Sequence, residues 1–422
     1  MSRKWMRLDN AALIFPAIRQ RHWVNVFRLS ATLNEPIDPA TLQAAVDDLK
    51  PRFPSMYVRL KTGLFWYYLE EIPGTPQVRE DYAYPLVLMQ EKELHACCLR
   101  VTYFQNRIAV EFFHSLTDGN GGLVFLKTLT ARYLERKTGA RIPAGEGVLD
   151  WQDKPAPEEL EDSFQKHANK YVLNDKEPAA LHVRGTYEPN FLHLLTGRIP
   201  ADALLDAAHR CGATVTVFLA AVLAESLLQY QQTRIGRDRR RPVKITVPVN
   251  LRKLYGSRTL RNFILTLNPG VDPRMGTYTL PELCKTIGAQ IAAEATPQRM
   301  SGRIAANVSP QQVLPIRLAP LPVKNLVMRL VYSVRGERCG CLTLSNLGVI
   351  RLPAEMAEQV ARLEFIIGPQ ITYPHNCGVA TWNGTTYINF IRNIRECELE
   401  RLFFSRLVEL GLPVHIESND PR

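Results

Sequence analysis

The chain reads as a mixed α/β protein, of the α+β kind, made of two subdomains. Three observations predict it. Its 422 residues exceed the usual size of a single hydrophobic core, so two units of roughly 200 residues are expected. Short β-branched and aromatic runs alternate with segments of helical spacing along most of the length. Residues 143–184 break that alternation with Pro, Glu, Asp and Lys, as in Asp153-Lys154-Pro155-Ala156-Pro157-Glu158-Glu159, and so mark the connection. The first unit is accordingly placed at residues 1–175 and the second at residues 185–422.

In the first unit a strand is expected over residues 24–33 and a helix over residues 39–49. Pro39 suits a first helical turn, where its fixed φ and missing N–H are no handicap, and Asp38 before it can cap the free amides. A strand pair follows around residues 56–69. Arg107-Ile108-Ala109-Val110-Glu111-Phe112-Phe113 has the length and composition of one buried strand ending near His114. Leu123, Phe125, Leu126, Leu129, Tyr133 and Leu134 then recur at helical spacing, so a helix begins between Gly119 and Gly122.

In the second unit a strand over residues 191–199 leads into a helix opened by Pro200 and ended by Gly212. An apolar helix over residues 216–231, a strand over 243–249, a helix around 280–295 and a helix over 314–334 broken by Pro320 and Pro322 come next. Late strands are expected at residues 341–344, 363–367, 378–382 and 385–391, the last two joined by Asn383-Gly384, which tolerates the left-handed geometry of a two-residue hairpin. A helix over residues 396–410 closes the fold, and disorder is confined to loops and residues 417–422.

Hydrophobic residues make up 46% and charged residues 22%, the proportions of an ordinary folded protein. Arg3, Lys4, Arg7 and Asp9 interrupt the start, so no secretory signal is read and a cytoplasmic location is expected. The longest apolar run, residues 215–224, stops at Glu225, short of the about 20 residues a membrane helix needs, so no membrane span is expected. Eight cysteines, at positions 97, 98, 211, 284, 339, 341, 377 and 397, lack paired CxxC spacing; buried reduced thiols are expected, and no metal. A net charge of +11 and a pI near 9.3 favour anionic partners. The densest basic cluster is Arg234, Arg237, Arg239, Arg240, Arg241 and Lys244, in a loop between a helix and a strand. No aromatic interleaving or binding module accompanies it, so nucleic acid is not expected as a partner.

Phe112-Phe113-His114-Ser115-Leu116-Thr117-Asp118-Gly119 delivers a lone histidine from an apolar strand into a loop closed by Asp-Gly. An ordinary imidazole is largely free base at neutral pH, so it can take a proton from an alcohol or amine and return it to a leaving group. The same position suits a histidine that merely ends a strand, satisfied by backbone hydrogen bonds. Spacing alone does not choose between the two.

HxxxDG after an apolar strand resembles the active-site signature of the CoA-dependent acyltransferase superfamily. That group includes chloramphenicol acetyltransferase, condensation domains of nonribosomal peptide synthetases and alcohol acetyltransferases. Further stretches carry the resemblance. Residues 212–221 look like the helix that opens the C-terminal half of these proteins. Val247-Pro248-Val249-Asn250-Leu251-Arg252 with Thr259-Leu260-Arg261-Asn262-Phe263 is similar to their strand and arginine segment. Trp5-Met6-Arg7-Leu8-Asp9-Asn10-Ala11-Ala12 and Leu344-Ser345-Asn346-Leu347-Gly348 are similar to segments of the bacterial alcohol acetyltransferase branch. The resemblance runs from about residue 5 to about residue 417, with one departure: Phe113 stands where several branches carry a first of two histidines.

The resemblance implies two chloramphenicol-acetyltransferase-like subdomains with a tunnel at their interface and His114 at its middle as general base. Asp118 would then pair with Arg252 and shape the loop instead of orienting the imidazole. Gly119 would keep the channel open beside the base or serve as a simple turn glycine. Ser345 and Asn346 are candidates for an oxyanion or substrate contact or for a strand-ending turn, and Asn262 for securing backbone. No permanently bound cofactor is implied. The co-substrate would be acyl-CoA, acetyl-CoA or longer, and the acceptor a small-molecule alcohol. The alternatives are a thioester on an acyl carrier protein as donor, an amine as acceptor, or a catalytically silent binding protein. The basic cluster would be a solvated loop or a contact for CoA phosphates or an acidic carrier protein.

Overall fold

The computed structural model describes residues 4–19, 25–173, 177–236, 239–370 and 372–420. The first half contains β1 (Trp5–Arg7), α1 (Ile14–Ala17), β2 (Val26–Leu33), α2 (Pro39–Asp48), β3 (Val58–Thr62), β4 (Tyr67–Glu71), β5 (Arg79–Glu80), α3 (Glu91–Leu94), β6 (Leu99–Phe104), β7 (Arg107–Phe113) and α4 (Gly119–Thr138). Two short helices, α5 (Pro157–Leu160) and α6 (Ser163–His167), follow. Then come β8 (His193–Pro200), α7 (Ala201–Arg210), α8 (Val215–Arg234), β9 (Val243–Asn250), α9 (Arg252–Tyr255), β10 (Ile264–Leu267), β11 (Gly270–Val271), α10 (Leu280–Glu294) and α11 (Pro297–Gln312). The chain ends with α12 (Leu314–Leu318), α13 (Leu321–Arg335), β12 (Leu342–Val349), α14 (Ala354–Ala357), β13 (Val360–Ile367), β14 (His375–Trp382), β15 (Thr385–Arg392), α15 (Glu398–Glu409) and β16 (His415–Ser418).

Three sheets organise these elements: β1-β4-β3, the five-stranded β13-β2-β7-β6-β5, and the large β10-β9-β12-β14-β15-β8-β16 with β11 beside β9. β7 lies between β2 and β6, which explains why its run is apolar on both faces: every residue after Arg107 is buried. Its end fixes where His114 emerges. Helix α8 is apolar all round because it packs among β9, α10 and α15; residues 217–224 are all buried. No single described helix is long and apolar enough to cross a membrane, and only the bent pair α7 and α8 reaches that composition together. Asn383 and Gly384 both adopt positive φ, 45° and 72°, in the hairpin joining β14 to β15.

Two large cores lie under the two mixed sheets, and they do not follow the division at residues 175 and 185. β13 leaves the second half to pair with β2, Leu363 opposite Ala31 and Ile367 opposite Phe27, so Leu363, Phe365 and Ile366 fill the first core. Residues 143–184 are likewise more than a connection. Arg52 grips Glu159 of α5 through paired bonds of 2.5 and 2.8 Å, both side chains buried. Phe164 of α6 enters a small third core with Leu251, Phe263, Met300 and Ile304.

Other differences have local causes. The helix expected over residues 314–334 is broken at Pro320, as expected, but not at Pro322, which falls in the opening turn of α13, where no N–H is needed. Helix α11 was not expected at all, its pattern being polar with Pro310 inside. Residues 417–420 are ordered: β16 pairs with β8, and Asp420 bonds Arg392 at 2.9 Å. All eight cysteines are free, but Cys397 is exposed and Cys211 only partly buried. The expected strand start at Val24 and the basic residue Arg237 lie outside the described residues.

Candidate active site

His114 follows β7 directly, its N–H donating to Asn25 O at 2.8 Å. Its ring is held on two sides by Phe15, stacked at 4.5 Å between centroids, and Phe27, edge-on at 5.1 Å. Nδ1 lies 3.1 Å from Asn262 Oδ1. The Asn262 amide has its own orientation fixed, because Nδ2 donates to the Asp9 carboxylate at 3.1 Å and to His114 O at 3.0 Å. The oxygen turned to the imidazole can only accept, so Nδ1 carries the proton and Nε2 keeps its lone pair. Burial also depresses the imidazole pKa below its ordinary value, outweighing the bond to Asn262 and the charges of Asp118 and Asp9. The group is a neutral base with a defined tautomer.

Asp118 is turned away from that ring and fully engaged elsewhere. Oδ1 caps α4, accepting from the N–H groups of Asn120 and Gly121, both at 3.1 Å. Oδ2 accepts from Arg252 Nη1 and from Phe263 N, each at 2.8 Å. The carboxylate is completely buried, and the arginine side chain is 13% exposed. Arg252 in turn donates from Nε to Thr259 O at 2.7 Å and from Nη2 to Arg261 O. The loop between β9 and β10 is thus tied to the loop after β7, and Thr117 Oγ adds a bond of 2.6 Å to Leu260 O. These bonds cross between the two lobes and hold His114 beside Asn262.

A cleft opens next to this junction, lined by Gly119 and Asn120 of α4, Asn250 and Lys253 of the β9–β10 segment, and Ser345 and Asn346 of β12. His114 is not among its lining residues. Ser345 is half-buried and its hydroxyl has no partner among the described residues. Asn346 is committed, donating to Thr216 Oγ at 3.0 Å and accepting from Gly348 N at 2.8 Å where the β12–β14 register shifts. The described part of the basic cluster sits at the far end of β9 from Asn250: Arg234 pairs with Glu398, and Lys244 with Glu177 at 2.9 Å.

A Cβ on Gly119 would meet Phe365 at 3.1 Å and Leu347 at 3.2 Å, the ends of two side chains. Gly121 is stricter. A Cβ there would lie 2.2 Å from the carbonyl oxygen of Leu260, so glycine is what lets α4 reach the other lobe's backbone.

Sequence reading underrated three residues. Asn262 does bond backbone, but it also fixes the imidazole, and nothing local reveals a partner 148 positions away. Asp9, read only as part of a segment, accepts from Asn262 and from Ala12 N; burial pushes its carboxyl up to about 6 against the nearby charge of Arg261. Phe15 supplies the stacking face. Among the described residues no group of three or more His, Cys, Asp or Glu is arranged to hold a metal ion.

No protein-family model and no curated protein sequence matches the chain. Solved structures do. F. graminearum TRI101, complexed with coenzyme A and T-2 mycotoxin, aligns at a TM-score of 0.65 and 11% identity over 97% of this chain and 99% of that one. TRI3 trichothecene 15-O-acetyltransferase from Fusarium sporotrichioides aligns at 0.61 and 12% identity, over 97% and 94%. The first condensation domain of the calcium-dependent antibiotic synthetase aligns at 0.61 and 15% identity, over 97% and 96%. The chain therefore has the two-lobed fold of the CoA-dependent acyltransferases and condensation domains.

Proposed function

We propose that the chain is an acyltransferase that moves an acyl group from acyl-CoA to the hydroxyl of an alcohol, with His114 as general base. The observation that carries this reading is the fixed tautomer: Asn262 Oδ1 accepts the hydrogen bond from Nδ1–H and leaves the Nε2 lone pair free. Nε2 takes the hydroxyl proton as the alcohol oxygen bonds to the thioester carbonyl carbon, giving a tetrahedral oxyanion. The C–S bond then breaks, the ester is released, and the imidazolium returns its proton to the CoA thiolate. No covalent acyl-enzyme is needed.

Positioning two reactants across the lobe interface supplies several kcal/mol of the barrier reduction, and the base about 10²–10⁴ in rate. Of the two β12 candidates, Ser345 is the better oxyanion donor, since the Asn346 amide is already engaged. Lys253 lines the cleft and Arg258 is exposed in the same loop, which suits them to the phosphates of CoA better than the distant cluster around Arg240. The lobe of residues 1–175, completed by β13, and the lobe of residues 185–422 without it would each supply one wall of the site.

Purified protein incubated with acyl-CoAs of graded length and a panel of alcohols and amines, read by free thiol release, tests the reading. Alcohol-dependent release is expected. Release with amines alone would change the acceptor class, and no acceptor-dependent release with any CoA donor would refute the CoA reading in favour of a carrier-bound donor or a silent protein.

A further inference from the structure

Helix α13 is built inside out. Val323, Leu326, Val327, Leu330 and Val331 recur at i, i+3, i+4, i+7 and i+8, which sets them on one face, and each is more than half exposed. The polar side chains point the other way: Lys324 is buried, its Nζ donating to Phe65 O at 2.9 Å and lying 3.4 Å above the Trp66 ring, while Asn325 donates to Tyr67 Oη at 2.8 Å. Those contacts fix the β3–β4 tip, with Leu64 72% exposed, against the start of α13. The preceding α12 adds exposed Leu314, Ile316 and Leu318, tied in by the bond from Lys324 to Arg317 O. The result is one continuous apolar face, larger than scattered surface side chains produce.

Its charge is one-sided. No Asp or Glu occurs between Glu294 and Glu337, whereas the exposed Arg317 and Arg329 do, and Arg317 has no carboxylate partner among the described residues. We propose that this face is a docking surface for a lipid bilayer carrying anionic headgroups. An apolar helix face bordered by the exposed Arg317 and Arg329, with no carboxylate in the segment and exposed Phe65 at its margin, has the composition of an interfacial helix that lies in the headgroup plane without spanning. A second copy of the chain fits less well, because like charges would be brought together. α13 also rests on α1, Arg329 donating to Ala17 O at 2.7 Å, and α1 carries the Phe15 that stacks on His114.

Flotation of the full chain with phosphatidylglycerol–phosphatidylcholine vesicles tests this, against vesicles of phosphatidylcholine alone. Wild-type protein is expected to float with the anionic vesicles and to be released by high salt. Leu326→Glu with Leu330→Glu should cut bound protein at least about tenfold at an unchanged melting temperature, both sites facing solvent. Arg317→Glu, further from any packing, should weaken binding to anionic vesicles only. No flotation of the wild type, or equal flotation of the double variant, overturns the proposal. So does a dimer in sedimentation that the double variant dissociates while vesicles are ignored, which would assign the face to a second copy.

Discussion

Replacing Asp118 by alanine removes four hydrogen bonds, two from the first turn of α4 and two from Arg252 and Phe263. Losing the helix cap costs about 0.5–2 kcal/mol. Leaving Arg252 without its carboxylate, in a site where the acid is fully buried and the base nearly so, costs about 3–5 kcal/mol. The sum, about 3.5–7 kcal/mol, is a large part of the about 5–15 kcal/mol that holds a typical domain folded. Urea unfolding followed by circular dichroism should therefore show a much lower midpoint for Asp118→Ala. Arg252→Met should fall similarly, and the double variant should be less destabilised than the sum of the two, since it leaves no orphaned charge. An Asp118→Ala protein with the wild-type midpoint but no turnover would refute this reasoning and return the carboxylate to the imidazole as its orienting partner.

Asn262→Asp places an anion on Nδ1 and should move the acidic limb of the kcat/KM profile upward; in the wild type, with the imidazole pKa depressed by burial, activity should hold through neutral pH and fall only below the ordinary value of 6.5. Asp9 acts on stability with the opposite dependence from a salt-bridged acid. Its carboxyl is raised from 3.8 to about 6, so the native state holds a proton the unfolded chain has released, and stability should drop by up to about 3 kcal/mol as pH rises through that window. Asp9→Asn should flatten that slope in urea titrations between about pH 4 and 6.5. Gly121→Ala should be far more disruptive than Gly119→Ala, because the first meets the Leu260 carbonyl at 2.2 Å and the second only side-chain ends of Phe365 and Leu347 at 3.1 and 3.2 Å. Thermal melts should separate them, with Gly119→Ala losing about 1–3 kcal/mol and Gly121→Ala more.

The legible parts of the fold were those where one element carries its own signal. The run ending at Phe113 reads as a strand because it is buried on both faces, and Asp38 and Asp118 read as caps or loop closers because short acidic side chains satisfy free amides. What local pattern does not encode is which sheet a strand joins. β13 reads as a strand, yet nothing in residues 360–367 says that it pairs with β2 across the lobes. The Pro- and Glu-rich connection looked loose because Glu159 finds its partner in Arg52, 107 positions earlier. The same distance problem hid Asn262 and Asp9. Arg252 escaped it only because a family resemblance linked it to the Asp118 loop. Helix α13 was expected, but its exposed apolar stripe was not, since periodicity gives a face and not the direction it points.

The most direct test of the account is thiol release by His114→Ala protein in the presence of an acyl-CoA and an alcohol that the wild type uses. With folding checked by circular dichroism, the variant should lose acceptor-dependent turnover by about 10²-fold or more. Turnover within a fewfold of the wild type would contradict the assignment of His114 as the base.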